Sequence, residues 1–88
     1  MMKDPYSIIK HPVATEKAVK IMETENKLTF IVEKKATRTE IKKAIETAFT
    51  VKVLKVNTVV TPKGIKKAYA RLSPANPAID VATQLGMI

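Results

Sequence analysis

The stretch Thr37-Arg38-Thr39-Glu40, followed by Ile41, Ala44, Ile45, Ala48 and Phe49, constrains the fold of this chain more than any other. A threonine with a glutamate three positions later is a capping box. Each side chain accepts from the other residue's backbone N–H, and two otherwise orphaned donors are satisfied. The five apolar positions then fall at i, i+3, i+4, i+7 and i+8, one stripe along a helix. Arg38, Lys42, Lys43 and Glu46 fall on the other side. A helix with a single apolar stripe has to lie on a second layer.

Its neighbours supply that layer. Lys27 to Lys34 alternates: Leu28, Phe30 and Val32 take one face, Thr29, Ile31 and Glu33 the other, as in a strand with one side in the core. Val51 to Thr61 is rich in β-branched residues and predicts a long strand. Lys52 and Lys55 are three apart, so they share a face only across a bulge, which we place near Leu54-Lys55. Thr61-Pro62-Lys63-Gly64 has the composition of a tight turn. Ile65 to Leu72 then alternates again, with Ala68, Ala70 and Leu72 on one face and Lys67, Tyr69 and Arg71 on the other. Upstream, Thr15 is a suitable cap for a helix over about Glu16–Glu23. Downstream, Asn76 is a suitable cap for a helix over Pro77–Leu85, with Gly86 as its stop. The segment Tyr6–Lys10 reads equally as an edge strand or as a helical turn started by Asp4-Pro5. The order is (β)-α-β-α-β-β-α. If the last strand pairs with the Lys27–Lys34 strand, every pairing is antiparallel and the fold is α+β, a sheet covered by helices.

At 88 residues the chain is expected to form one domain over 1–88. A chain this short buries roughly 60–65% of its unfolded surface, which predicts modest stability. It has no cysteine, so neither a disulfide nor a thiolate metal site is available. No apolar run approaches the roughly 20 residues that span a bilayer. The first residues lack the apolar core of a secretory signal, so none is expected.

Charge points to a partner. Sixteen Lys and Arg face eight Asp and Glu, a formal net charge of +8. Between Thr47 and Ile79 there is no acid at all, while Lys52, Lys55, Lys63, Lys66, Lys67 and Arg71 all lie there. A surface of one sign attracts polyanions, and for a small basic protein the usual polyanion is nucleic acid. Lys67, Tyr69 and Arg71 on one strand face can hold phosphates around a ring. The competing readings are a solvated lysine face or an edge strand blunted against aggregation. Phe30 and Tyr69 are the only strand aromatics, and Phe30 is assigned to the core. Backbone and shape recognition is therefore expected over reading of splayed bases.

Catalysis finds little footing. His11 is the only histidine, Ser7 and Ser73 lack a His-Asp partner pattern, and Glu23 and Glu25 sit at a helix end. Gly64 and Gly86 are too far apart for a phosphate-cradling loop. A small enzyme is the alternative, since the outline resembles small acyl-phosphate hydrolases, but a fold does not fix a function. No basic amphipathic helix suggests a membrane surface.

The segments HPVATEKA from His11, TRTEIKKAIETAF, VNTVVTPKG and KKAYARL, in this order, resemble the large-subunit ribosomal protein twenty-three family. The most specific part is Lys66-Lys67-Ala68-Tyr69-x-Arg71-Leu72, with Val56-Asn57-Thr58 as a second marker. Ala70 departs from the β-branched residue usual there. The short turn Pro62-Lys63-Gly64 and the ending AIDVATQLGMI are similar to the archaeal form. The resemblance implies a four-stranded antiparallel sheet of order 1-2-4-3, a ferredoxin-like variant. It implies a structural, cytoplasmic protein of the large ribosomal subunit at the rim of the peptide exit tunnel, bound to large-subunit rRNA. Lys52, Lys55, Lys63, Lys66, Lys67, Tyr69 and Arg71 are the expected rRNA-binding residues. It also implies a neighbour of the twenty-nine family, docking of the signal-recognition particle and other exit-site factors at Glu16, and no cofactor, metal, membrane or small-molecule substrate.

Overall fold

The computed structural model describes residues 5–86. The cap expected at Asp4 lies outside the described residues. The elements are α1 (Pro5–Ile8), β1 (Ile9–Pro12), α2 (Glu16–Glu25), β2 (Lys27–Val32), α3 (Arg38–Phe49), β3 (Val53–Val60), β4 (Lys66–Leu72) and α4 (Ala78–Gln84). The segment that the sequence leaves open divides: one helical turn ends at Ile8 and a strand begins at Ile9. At this switch two consecutive isoleucines, Ile8 and Ile9, both enter the core.

The four strands form one sheet in the order β1-β2-β4-β3 with every neighbouring pair antiparallel. This is the α+β arrangement expected from the element order. The β3–β4 register shifts between Val53 and Lys55, so the bulge foreseen near Leu54-Lys55 is present. It adds one residue to β3, leaving both Val53 and Val56 buried while Lys55 lies opposite Arg71. The β3–β4 turn closes with Gly64 N–H donating to the Thr61 carbonyl at 2.9 Å and Thr61 N–H to Ile65 at 2.8 Å. Gly64 has φ +80, a left-handed conformation that glycine adopts without a Cβ penalty.

One face of the sheet carries Leu28, Phe30, Val32, Ala68, Ala70, Leu72, Val53 and Val56, all buried. Ile41, Ala44 and Ile45 of α3 join them in one core cluster, with Phe49 packed against it. The Phe49 ring stacks on Phe30 at 5.6 Å between centroids. Burying each large aliphatic or aromatic side chain contributes about 1.5–3 kcal/mol. The capping box forms as read: Glu40 N–H donates to Thr37 Oγ1 at 3.2 Å and Thr37 N–H to Glu40 Oε1 at 3.1 Å. Glu46, on the polar side of α3, is only half-exposed; its carboxylate accepts from Val53 N–H at 3.0 Å and fixes the start of β3.

Helix α4 differs from expectation at its start. Asn76 does not cap it. Pro77 occupies the cap position with no side-chain bond, and the Ala78 N–H donates instead to Asn26 Oδ1 at 2.6 Å. Asn76 Oδ1 accepts from Lys52 N–H at 2.9 Å. The reason is tertiary: Asn26, the left-handed C-cap of α2, sits beside the end of β4. Its Nδ2 donates to the carbonyls of Leu72, Ser73 and Asn76 at 3.2–3.3 Å. The Asn26 carbonyl accepts from Leu72 N–H at 3.0 Å. Gly86, with φ +74, follows α4 as its stop, its N–H donating to Thr83.

Candidate nucleic-acid interface

The other face of the sheet is built by register. In an antiparallel ladder directly opposed residues point to the same side. Lys27 of β2, Arg71 of β4 and Lys55 of β3 are successive partners and form a row of three cations across three strands. The next row is Thr29, Tyr69 and Asn57; the one after is Ile31, Lys67 and Val59. Strands lie about 4.8 Å apart, and two residues along a strand advance about 7 Å. The Lys67–Arg71 span is therefore about 13 Å, with Tyr69 between them.

Like charges directly opposed across strands destabilise a sheet. Glu25 relieves part of this, its carboxylate 3.3 Å from Lys27 Nζ. Arg71 and Lys55 are exposed, and a polyanion laid across them removes the remaining repulsion. Strand β4 is interior, between β2 and β3, so Lys67 and Arg71 do not serve as gatekeepers of an edge.

The other expected contacts fall into different places. Lys63 is exposed in the hairpin turn. Lys66 has the parity of the core face: its Nζ donates to the Ala36 carbonyl at 2.6 Å and approaches that of Lys34 at 3.5 Å, tying β4 to the β2–α3 connection. Lys52 is exposed just ahead of β3, its backbone held by Asn76. Glu16 is exposed in the first turn of α2, next to the cap Thr15, whose Oγ1 accepts from Ala18 N–H at 3.2 Å. His11 is exposed, with Nδ1 3.2 Å from the Pro12 carbonyl oxygen. Among the described residues no three His, Cys, Asp or Glu side chains gather in a metal-binding group.

Two cations outside the expected set lie here, Lys27 on this face and Lys34 beside the hairpin. Lys27 completes the row through register alone, although its parity with Thr29 and Ile31 was visible in the sequence. Lys34 reaches the hairpin, its Nζ 3.7 Å from where a Cβ on Gly64 would stand. Helix α2 overhangs the β2 side of this face: Lys17, Ala18 and Ile21 line one cleft with Thr29, Lys67 and Tyr69. The β3 side is open, with Lys55, Asn57 and Val59 exposed.

The arrangement suits phosphate contact, with cations spaced along an open, rigid sheet and one ring among them. Comparison with known proteins identifies the family. The family model for ribosomal protein L23 matches residues 7–79. The chain is 49% identical over 85 residues to the large ribosomal subunit protein uL23 of Trypanosoma brucei brucei, covering 97% of this chain and 52% of that protein. The chain thus spans about half the length of this curated relative. With a match over most of its length to both, the chain belongs to the ribosomal protein L23 family, a family of structural components of the ribosome and not of enzymes.

Proposed function

We propose that this chain is a structural component of the large ribosomal subunit that lays the open face of its sheet on large-subunit rRNA. The observation that carries the reading is the row Lys27–Arg71–Lys55 across three strands, flanked by Tyr69 and Lys67. Such a face neutralises backbone phosphates and fixes the orientation of the protein; it does not read bases. Lys52, Lys63 and Lys34 extend the cationic surface beyond the sheet. Lys66 contributes through the fold, holding the connection that precedes α3.

The finer placement rests on the family resemblance: the rim of the peptide exit tunnel, in the cytoplasm, beside a protein of the twenty-nine family. Glu16 is the proposed contact for the signal-recognition particle and other exit-site factors, and its exposure at the start of α2 suits that role. The test is photocrosslinking in intact large subunits. A photoreactive phenylalanine analogue at Tyr69 is expected to crosslink to rRNA, and the same analogue at Lys42, on the exposed side of α3, is expected not to. Crosslinking from Lys42 alone would assign the RNA to the opposite face.

A further inference from the structure

We propose that the cleft between the start of α2 and the sheet seats a single phosphate of the RNA backbone, held by Lys17 and Lys67 above the hydroxyl of Thr29. This rests on the rRNA reading above and adds to it a discrete subsite. Thr29 is 4% exposed, and its Oγ1 is buried without a hydrogen-bond partner. A threonine hydroxyl offers one donor and two acceptor positions, and buried polar groups in native proteins are nearly always satisfied. An orphaned hydroxyl beneath a cleft is therefore the mark of a missing partner. The cleft above it is lined by Lys17, Lys67, Thr15 and Tyr69, so the partner's surroundings are cationic and polar.

Two features make the partner an anion. Helix α2 is ten residues long and starts at this cleft, and a helix N-terminus carries positive partial charge. Lys17 and Lys67 add two full charges against one carboxylate, Glu16, in the same turn. The volume, about 100 Å³, is several times the space a single water needs. It leaves room for a small ionic group. Lys67 also belongs to the open face, so the cleft continues the phosphate track from the Arg71 row beneath α2. Thr29 lies directly opposite Tyr69, which places the hydroxyl and the ring on one line of that track.

The experiment measures two quantities on each variant: the denaturation midpoint, and affinity for deproteinised large-subunit rRNA at fixed salt. Thr29→Val replaces the hydroxyl by a methyl of similar shape. It is expected to keep or raise the midpoint, because an unsatisfied group is removed, and to weaken rRNA binding about tenfold or more. Thr29→Ser is expected to restore affinity. Lys17→Gln is expected to flatten the log–log salt slope by about 0.7–0.9, one phosphate contact. Combined with Thr29→Val it is expected to lose less affinity than the two single losses multiplied, since both act on one ligand. Unchanged rRNA affinity in both single variants overturns the subsite. Arg71→Gln separates this from the wider reading. If Arg71→Gln weakens binding while Thr29→Val and Lys17→Gln do not, only the cleft is rejected; if none of the three matters, the sheet-face reading is rejected with it. Inorganic phosphate supplies the remaining arm. Saturable shifts of the Thr29 and Lys17 amide resonances by free phosphate, with rRNA affinity indifferent to Thr29→Val, would make this a free-anion site and overturn the proposal.

Discussion

Asn26 shows how much one residue can hold. It ends α2 in the left-handed region at φ 55 and ψ 39, where asparagine is tolerated better than other side-chain-bearing residues. The same side chain then satisfies the end of β4 and the first N–H of α4. Asn26→Ala is expected to cost about 2–4 kcal/mol, combining lost hydrogen bonds with the left-handed penalty. Asn26→Gly keeps the conformation and is expected to cost about 1 kcal/mol less than alanine. Urea unfolding of both variants checks this, and a loss under about 0.5 kcal/mol in each would show that the junction does not depend on Asn26. Thr50 is the contrasting case. It takes the same conformation at φ 53 to end α3, but it is β-branched and exposed. Thr50→Gly is therefore expected to stabilise by about 0.5–1 kcal/mol.

At the scale of elements, α3 is the part whose burial decides stability. Ile45 is fully buried, and Ile45→Ala is expected to cost about 2–5 kcal/mol. Phe49→Ala is expected to cost a similar amount because it also loses the stack on Phe30. Chemical denaturation that shows neither loss would place the helix against something other than the sheet. Lys66→Ala is expected to cost about 1–2 kcal/mol, from its charge-assisted bond to Ala36, and to leave the salt dependence of RNA binding nearly unchanged. These elements were largely legible in the sequence because their signals are local. The capping box, the i/i+3/i+4 stripe, the two-residue alternation of β4 and the Lys52–Lys55 spacing all act within a few residues. What the sequence did not show depends on register and on distant pairings. Lys27 joins Arg71 and Lys55 only once β2 and β4 pair. Asn26 caps a helix 52 positions away, whereas local spacing favoured Asn76. Lys66 and Lys67 look equivalent in a charge count, yet parity sends one to a structural bond and the other to the open face.

For the whole molecule, the organising fact is the division of the sheet into two unlike faces. One is dry and covered by α3, α4 and the buried end of α1. The other is cationic, partly overhung by α2 and open along β3. The exposed acid at Glu16 stands at the start of α2, beyond the acid-free stretch, and is the proposed contact for a second partner. Large subunits assembled with Glu16→Lys are expected to retain the protein and to bind exit-site factors more weakly in co-sedimentation, with the difference shrinking at higher salt. Equal factor binding at both salt concentrations would reduce Glu16 to its favourable position in a first helical turn.

Binding of rRNA by one face of the sheet, and not by net charge, is the proposal. It is tested most directly by the salt dependence of rRNA affinity in two variants that each lose two positive charges. Lys55→Gln with Arg71→Gln removes them from the open face; Lys42→Gln with Lys43→Gln removes them from the exposed side of α3. The log–log slope is expected to flatten by about 1.4–1.8 in the first variant, two phosphate contacts, and to stay near wild type in the second. Equal flattening in both variants, with both folded, would contradict it, because the RNA would then be sensing total charge and not the sheet.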